Sequence, residues 1–425
     1  MNKSKNIGFV STRIAGTDGV SLEIRKWADV LERNGHTCYY FAGLLDRSSE
    51  KSFLINKAHF EHPEIREITN KCFGTYTRNP DISLKINNLR DFFKERLYEF
   101  IEQFNIEVLI PENVLSIPLN IPLGIAITEV ISETGMPTIA HHHDFSWERD
   151  EFLVNAVNDY LEAAFPPDLP SIQHVVINSL ASRELCHRKG ISNIIIPNVY
   201  DFSHPPMEES CCDELRQLIG LNQEDPFILQ PTRIIPRKCI ERSIEIVHDL
   251  NLKNPVLCIS HAVDDSRDYY YDQLKRYAEK LNVRLVFIND HIGTQRTTTY
   301  DGKKIYTIGD VYQCADLVTY PSSYEGFGNA FLEAVYYRKP IVVNRYSIYI
   351  TDIEPKGFDL ITIDGFVTPE TIQRIKEVLY NEERRRRMVE KNYQLAHRYF
   401  SYEVLEHSLK YLLKKLDEHR VKKTK

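Results

Sequence analysis

The chain of 425 residues has no apolar run near the roughly 18 to 20 residues needed to cross a bilayer. Its best approach, residues 121–131, is interrupted by Thr128 and Glu129. An integral membrane segment is therefore excluded. The opening MNKSKNIGFV has too short an apolar stretch for a secretory signal and reads as a first buried strand. None of the eight cysteines forms a C-x-x-C pair, so the set reads as reduced thiols of a cytoplasmic protein. There is no G-x-G-x-x-G, no G-x-x-x-x-G-K-[ST] and no H-E-x-x-H, which argues against a dinucleotide dehydrogenase, a P-loop NTPase and a zinc peptidase. Positive charge is not in excess: 53 Lys and Arg against 60 Asp and Glu leave a formal charge of -7. Nucleic acid is thus not an expected partner, and the run Arg384, Arg385, Arg386, Arg387 reads as a solvated helix face.

What is present suits a soluble α/β protein. Hydrophobic residues make up 42% and charged residues 27%, enough apolar material for two sizeable cores. Short apolar runs alternate with amphipathic stretches of helical length, the pattern of parallel sheets. NIGFV (6–10), TCYYFAG (37–43), VLIPEN (108–113), PTIAHHHD (137–144), HVVIN (174–178) and NIIIPN (193–198) form a first set. Residues 201–213 carry few apolar side chains and read as a linker. The alternation restarts with FILQPT (227–232), PVLCIS (255–260), VRLVFI (283–288), DLVTY (316–320) and PIVV (340–343). Two Rossmann-like, doubly wound domains with a cleft between them are the natural reading.

Four strings carry chemistry. In PSSYEGFGNAFLEAV (321–335), Gly326 and Gly328 flank Phe327 at the mouth of a helix that Asn329 opens. Glycines there let backbone N–H groups approach an anion, and a helix N-terminus favours phosphate. Glu325 falls at the carboxyl end of a strand, where α/β sheets bind ligands. Glu333 follows about two helical turns later. One carboxylate can therefore reach sugar hydroxyls while the other faces a ribose; by spacing alone, a helix-opening turn and a surface glutamate read equally well. In QPTRIIPRKCIERSI (230–244), Arg233 ends a strand and Lys238 opens a helix. A planar fork and a point charge suit a diphosphate, although a solvated basic loop is the plainer alternative, with Arg237 read as surface charge.

In STRIAGTDGVSLEIRKWADVL (11–31), Gly19 stands just before a helix, preceded by Asp18, and either approaches phosphate or merely caps that helix. In HHHDFSWERDEF (141–152), strand alternation puts His141 and His143 on one side and His142 on the other. An active-site histidine, a structural loop and a metal site are the three readings. Asp144, Trp147 and Arg149 follow in a loop that offers acceptor contacts or a buried anchor.

The string around Glu325 and Glu333 closely resembles the E-x7-E signature of retaining glycosyltransferases of family 4 (group 1), which have the GT-B fold. The D-x-x-x-x-P-S lead-in and the following LEAVYYRKPIVV match as well. The likeness spans both halves and is strongest over residues 227–343. It implies an N-terminal acceptor domain (1–200), a C-terminal donor domain (201–398) and a last helix (399–425) crossing back to the first. It implies metal-independent transfer of a hexose, glucose or mannose, from a nucleotide diphosphate sugar to a hydroxyl acceptor, with no other cofactor. Arg233 and Lys238 would hold the diphosphate and Glu333 the ribose. Ile308 and Gly309 would lie near the base, and Gly19, Gly326, Phe327, Gly328 and Asn329 would line the donor. Glu325 and one histidine, with His143 matching better than His142, would hold the sugar.

The chain departs from the family at Asp18, where adjacent glycines are usual, and at TDIEPKGF (351–358). The latter departure together with HHHDFSWER suggests a distinct subgroup, acting on a small soluble acceptor such as a glucosylglycerate-type solute. A phosphorylase, an epimerase or a non-catalytic sugar-nucleotide binder of the same shape is the alternative. Donor nucleotide and oligomeric state are not legible.

Overall fold

The computed structural model describes residues 4–206, 211–261 and 268–423. The chain forms two compact units, one of Met1–Val199 with Tyr402–Lys425 and one of Tyr200–Ser401.

The first unit is built on seven parallel strands: β1 (Asn6–Val10), β2 (Thr37–Ala42), β3 (Ser52–Leu54), β4 (Val108–Pro111), β5 (Thr138–His142), β6 (Ile172–Val176) and β7 (Asn193–Ile195). Their order is β3-β2-β1-β4-β5-β6-β7. β4 and β5 are wholly buried, because helices cover both faces of such a sheet. One face packs on the Pro80–Phe104 and Ile121–Thr134 helices through Ile86, Phe93, Phe100, Ala126 and Ile127. The other packs on Gly19–Arg33 through Ile24, Trp27 and Leu31, joined by Leu405, Leu409, Leu412 and Leu416 of the Tyr402–Lys423 helix. Asp18 caps Gly19–Arg33 by accepting from the Val20 and Ser21 amides.

The second unit has a six-stranded parallel sheet and a small three-stranded one. In chain order the strands are β8 (Ile228–Gln230), β9 (Val256–Ile259), β10 (Arg284–Phe287), β11 (Ile292–Gly293), β12 (Thr297–Thr298), β13 (Lys304–Thr307), β14 (Leu317–Tyr320), β15 (Ile341–Asn344) and β16 (Ile361–Ile363). The larger sheet runs β10-β9-β8-β14-β15-β16. The chain therefore winds outward from β8 on one side and from β14 on the other. That reversal opens a crevice at the carboxyl ends of β8 and β14. Both sheets are of the Rossmann-like kind expected from the alternating pattern.

Two expectations are amended. Cys212 and Cys314 form a disulfide across 102 residues of sequence, so the eight cysteines are not all thiols. The two residues lie at the start of the Cys212–Ile219 helix and the end of the Ile308–Cys314 helix, a proximity that spacing does not reveal. The linker 201–213 is also shorter than expected, since a helix already begins at Cys212. Residues 207–210 of that linker lie outside the described residues.

Candidate active site

In the second unit, the loops after β8 and β14 meet at the sheet's switch point. Beneath them a buried network fixes the strand ends: Gln230 Oε1 accepts from Ser243 Oγ at 2.5 Å and from Thr319 Oγ1 at 3.0 Å. Above it, a short 3-10 turn (Pro236–Lys238) delivers Lys238, and Cys239 follows in the left-handed region at φ 49°. The β14 loop is stitched to this turn. The Ser323 amide donates to the Arg237 carbonyl at 2.9 Å, and the Arg237 guanidinium donates to the Tyr324 carbonyl at 2.9 Å.

Glu325 is thereby held in a cage of cations. Its carboxylate pairs with Lys238 Nζ and, at 3.0 Å, with Arg237. Lys238 also lies over the buried Tyr320 ring, 5.2 Å from its centroid. Burial alone would raise the Glu325 carboxyl, but Lys238 and Arg237 outweigh it and hold the group below the ordinary glutamate range. Lys238 moves down, chiefly through burial, with Glu325 opposing and Arg237 and Arg233 adding repulsion. Arg233 is exposed and forms no ion pair among the described residues.

His261, after β9, borders this positive edge. Burial, reinforced by Lys238 and Arg233, pushes its imidazole down to about 4, so it is neutral at physiological pH. Fixed positive charge from three side chains with a neutral donor beside it is the arrangement a diphosphate requires.

Glu333 stands apart from that cage. Its Oε2 accepts from the Tyr312 hydroxyl at 2.8 Å, and Tyr312 stacks on Tyr337 at 5.4 Å. Tyr312 belongs to the helix that Ile308 and Gly309 open. A Cβ on Gly309 would lie 2.3 Å from the Tyr337 hydroxyl, so that helix start and the Glu333 helix approach closely. The structure thus brings Ile308, Gly309 and Glu333 into one neighbourhood.

The turn between Glu325 and the Asn329–Tyr336 helix needs its second glycine. Gly328 has φ 119°, and a Cβ there would meet the Tyr346 hydroxyl at 2.5 Å. Gly326 and Asn329 are half-buried on either side. Phe327 gives its ring to the core, edge-on to Phe400 at 5.2 Å, and its carbonyl accepts from the Tyr346 hydroxyl at 2.7 Å. Its ring and its carbonyl are therefore both committed within the protein.

In the first unit, Gly19 is the exposed first residue of its helix, and the cap is Asp18. The Asp18 carboxylate is committed to that cap and to Arg13 at 3.1 Å. The three histidines divide as strand alternation requires. His141 Nδ1 lies 2.9 Å and His143 Nε2 3.3 Å from Glu112 Oε2, whereas His142 meets Ser116 Oγ and, at 2.9 Å, His174 Nδ1. Among the described residues, Glu112, His141 and His143 form a group whose potential ligand atoms all lie within 4.8 Å of one another. The 2.9 and 3.3 Å separations are those of two imidazoles donating to one carboxylate oxygen. Asp144 pairs with Arg149 and accepts from Asn113 Nδ2 at 2.8 Å. Trp147 stacks on Phe145 at 4.4 Å under Arg188, the anchoring alternative among its readings.

Sequence reasoning missed Arg237, His261, Tyr312 and Glu112. Of these only Glu112, a charge at the end of the apolar strand VLIP, left a signal that could have been followed.

Residues 213–395 match the family described as glycosyl transferases group 1. The chain is 31% identical to the mannosylglucosylglycerate synthase of Thermotoga maritima, over 94% of this chain and 97% of that protein. It is 33% identical to the mannosylglucosylglycerate synthase of Petrotoga mobilis, over 84% and 86% respectively. Among solved structures, sucrose-phosphate synthase from Thermosynechococcus elongatus aligns with a TM-score of 0.67 at 14% identity, covering 98% of this chain and 100% of that one. The last likeness is one of fold.

Proposed function

Because the chain belongs to the group 1 glycosyl transferases and has their GT-B fold, we propose that it transfers a hexose, mannose, from a nucleotide diphosphate sugar to a glucosylglycerate-type acceptor. The product name of its relatives contains mannose, glucose and glycerate, and one mannosyl transfer onto glucosylglycerate accounts for all three. In that step the bond from the anomeric carbon to the diphosphate breaks and a new glycosidic bond forms to the acceptor oxygen. The acceptor's proton goes to the departing phosphate, on the same face, so configuration is retained. Arg233, Lys238 and Arg237 neutralise the leaving diphosphate, which is why we read the transfer as metal-independent and without a further cofactor. Glu325 and His143 hold the sugar, and Glu333 the ribose. No helix among the described residues is long and apolar enough to cross a membrane, and a cytoplasmic site of action fits a small dissolved acceptor.

The observation that carries this reading is the buried Lys238–Glu325 pair, flanked by the partly exposed Arg237, at the switch point of β8 and β14. The test incubates the purified chain with UDP-, GDP- and ADP-linked glucose and mannose, each with glucosylglycerate or glycerate, with and without EDTA. Formation of an α-linked mannosyl product from one mannose donor, unaffected by EDTA, is expected. An inverted anomer, a chelator-dependent reaction, or glucose transfer alone would each overturn the corresponding part.

A further inference from the structure

Glu112 follows β4 with no exposed surface, and one of its carboxylate oxygens meets both His141 and His143. His141 is equally buried and stacks on Trp27 at 4.2 Å. His143 keeps 10% of its side chain accessible, so it is the ring of the pair that a ligand can touch. We propose that Glu112 is a positioning residue for the sugar site: it locks the His143 imidazole with Nε2–H turned onto the carboxylate and Nδ1 left for the ligand. The ligand's identity rests on the transferase reading above; the lock does not.

A carboxylate has no proton to give, so each histidine nitrogen bonded to it must carry one. Neutral His143 then has its lone pair at Nδ1. The backbone is braced from the same strand end, since the Asn113 Oδ1 accepts from the His143 amide at 3.0 Å while Asn113 Nδ2 holds Asp144 at 2.8 Å. Glu112 and His141 are bridged partners of neighbouring parallel strands, which sets their register.

The charged surroundings agree. His143 is faced by Glu112 from the β4 end, by His141 and His142 on β5, by Glu23 of the Gly19–Arg33 helix, itself paired with Lys26, and by Asp144, paired with Arg149. Burial pulls the His143 ring down, but the Glu112 hydrogen bond and charge more than restore it, and it ends above the usual histidine value. His141 and His142 are both driven down by burial. Burial likewise pushes Glu112 up, and the two imidazoles override it. Of three consecutive histidines, only His143 is poised by its carboxylate.

Two-bond proton–nitrogen correlation spectra of the full chain test this without substrate, with His143 assigned by loss of its signal in His143→Gln. At alkaline pH, where the ring is neutral, wild type is expected to show His143 protonated at Nε2. In Glu112→Gln its nitrogen shifts should move toward the average of both tautomers. The kcat for transfer should fall on the order of 100-fold, as it does when a positioned group is misplaced, with donor KM little changed. Protonation at Nδ1 in the wild type overturns the proposal even if Glu112→Gln does not fold. Unaltered His143 shifts in a folded Glu112→Gln, or altered shifts with unaltered kcat, also overturn it. So does a stoichiometric metal whose removal by EDTA moves the wild-type His143 signals. Wild type that shows the lock yet turns over no nucleotide sugar refutes the transferase reading and leaves the lock standing.

Discussion

Lys238 and Glu325, separated by 87 residues of sequence, form an ion pair in which each residue is less than a tenth exposed. A buried pair gains little over a well-packed apolar one, but breaking it is costly because one charge is stranded. At this position the two charges neutralise each other, and the diphosphate proposed above would share Lys238 with Glu325.

Lys238→Ala should therefore do two things. Transfer should fall by roughly 100- to 1,000-fold, the ~2.7–4 kcal/mol typical of one lost electrostatic donor. Stability should fall too, by about 3–5 kcal/mol at most, since Arg237 is then the one cation paired with Glu325 among the described residues. Glu325→Gln should lower both as well, although the loop position read from sequence suggests that turnover falls more than folding is disturbed. Donor kinetics and melting temperature measured on each variant check this; a folded Lys238→Ala with normal turnover would take Lys238 out of the diphosphate site.

Acid should destabilise the fold at identifiable histidines. Burial pushes His174 down to about 4, and His261 sits at a similar value. A group whose folded value lies below its unfolded 6.5 contributes stability that is complete above pH 6.5 and is lost as pH falls toward 4. Each such shift corresponds to about 3 kcal/mol. Urea unfolding at pH 7.5, 5.5 and 4.5 should show the loss, and His174→Gln should make it shallower. An equal slope in that variant counts against the assignment.

Glu148 has the opposite sign. Burial, then the Asp144 charge, raises its carboxyl to about 7. Its contribution is intact below pH 4.5 and disappears as pH rises through 7, so the ionised group is a burden in alkaline solution. Glu148→Gln should be more stable than wild type at pH 8, with no advantage at pH 4.5; because the residue is exposed and solvent screens its charge, the gain is well below the full shift. A melting temperature lower at both pH values would mean the carboxylate is needed where it is.

The Cys212–Cys314 disulfide closes a loop of 102 residues. Constraining so long a loop in the unfolded chain is worth about 2–5 kcal/mol. Dithiothreitol should lower the unfolding free energy of wild type, read from urea curves, by that amount and leave the Cys212→Ser/Cys314→Ser double variant unmoved. A midpoint insensitive to reductant in the wild type would show that the bond contributes nothing.

Much of the fold was readable because parallel strands covered on both faces must be apolar along their buried length, as IGFV and VLIP are. Residues 44–107 were harder. Their 25-residue helix, Pro80–Phe104, buries Ile82, Ile86, Leu89, Phe93, Leu97 and Phe100 between many charges, and that diluted stripe hid its length. In the donor-type site, Glu325, Lys238, Gly328 and Glu333 were visible because each sits at a fixed offset from a strand end or a helix start. Their partners were not. Arg237 looks like any loop arginine until its turn folds onto Glu325, and Tyr312 reaches Glu333 from a different helix. The Glu112–His143 pair joins the ends of two strands, and only pairing of β4 with β5 makes them neighbours.

The Tyr402–Lys423 helix lays Leu405, Leu409, Leu412 and Leu416 into the same core as Trp27 and Leu31, and Lys5 pairs with Asp417 at 2.7 Å. A ribosome finishes the seven strands of the first sheet long before it makes this helix, because all of Tyr200–Ser401 is translated in between. At about 5–20 residues per second the wait is on the order of ten seconds or more. Throughout it the nascent first domain carries an apolar flank with nothing to cover it. Messages cut short before codon 402 would yield chains that hold every strand of all three sheets and still cannot close the first core.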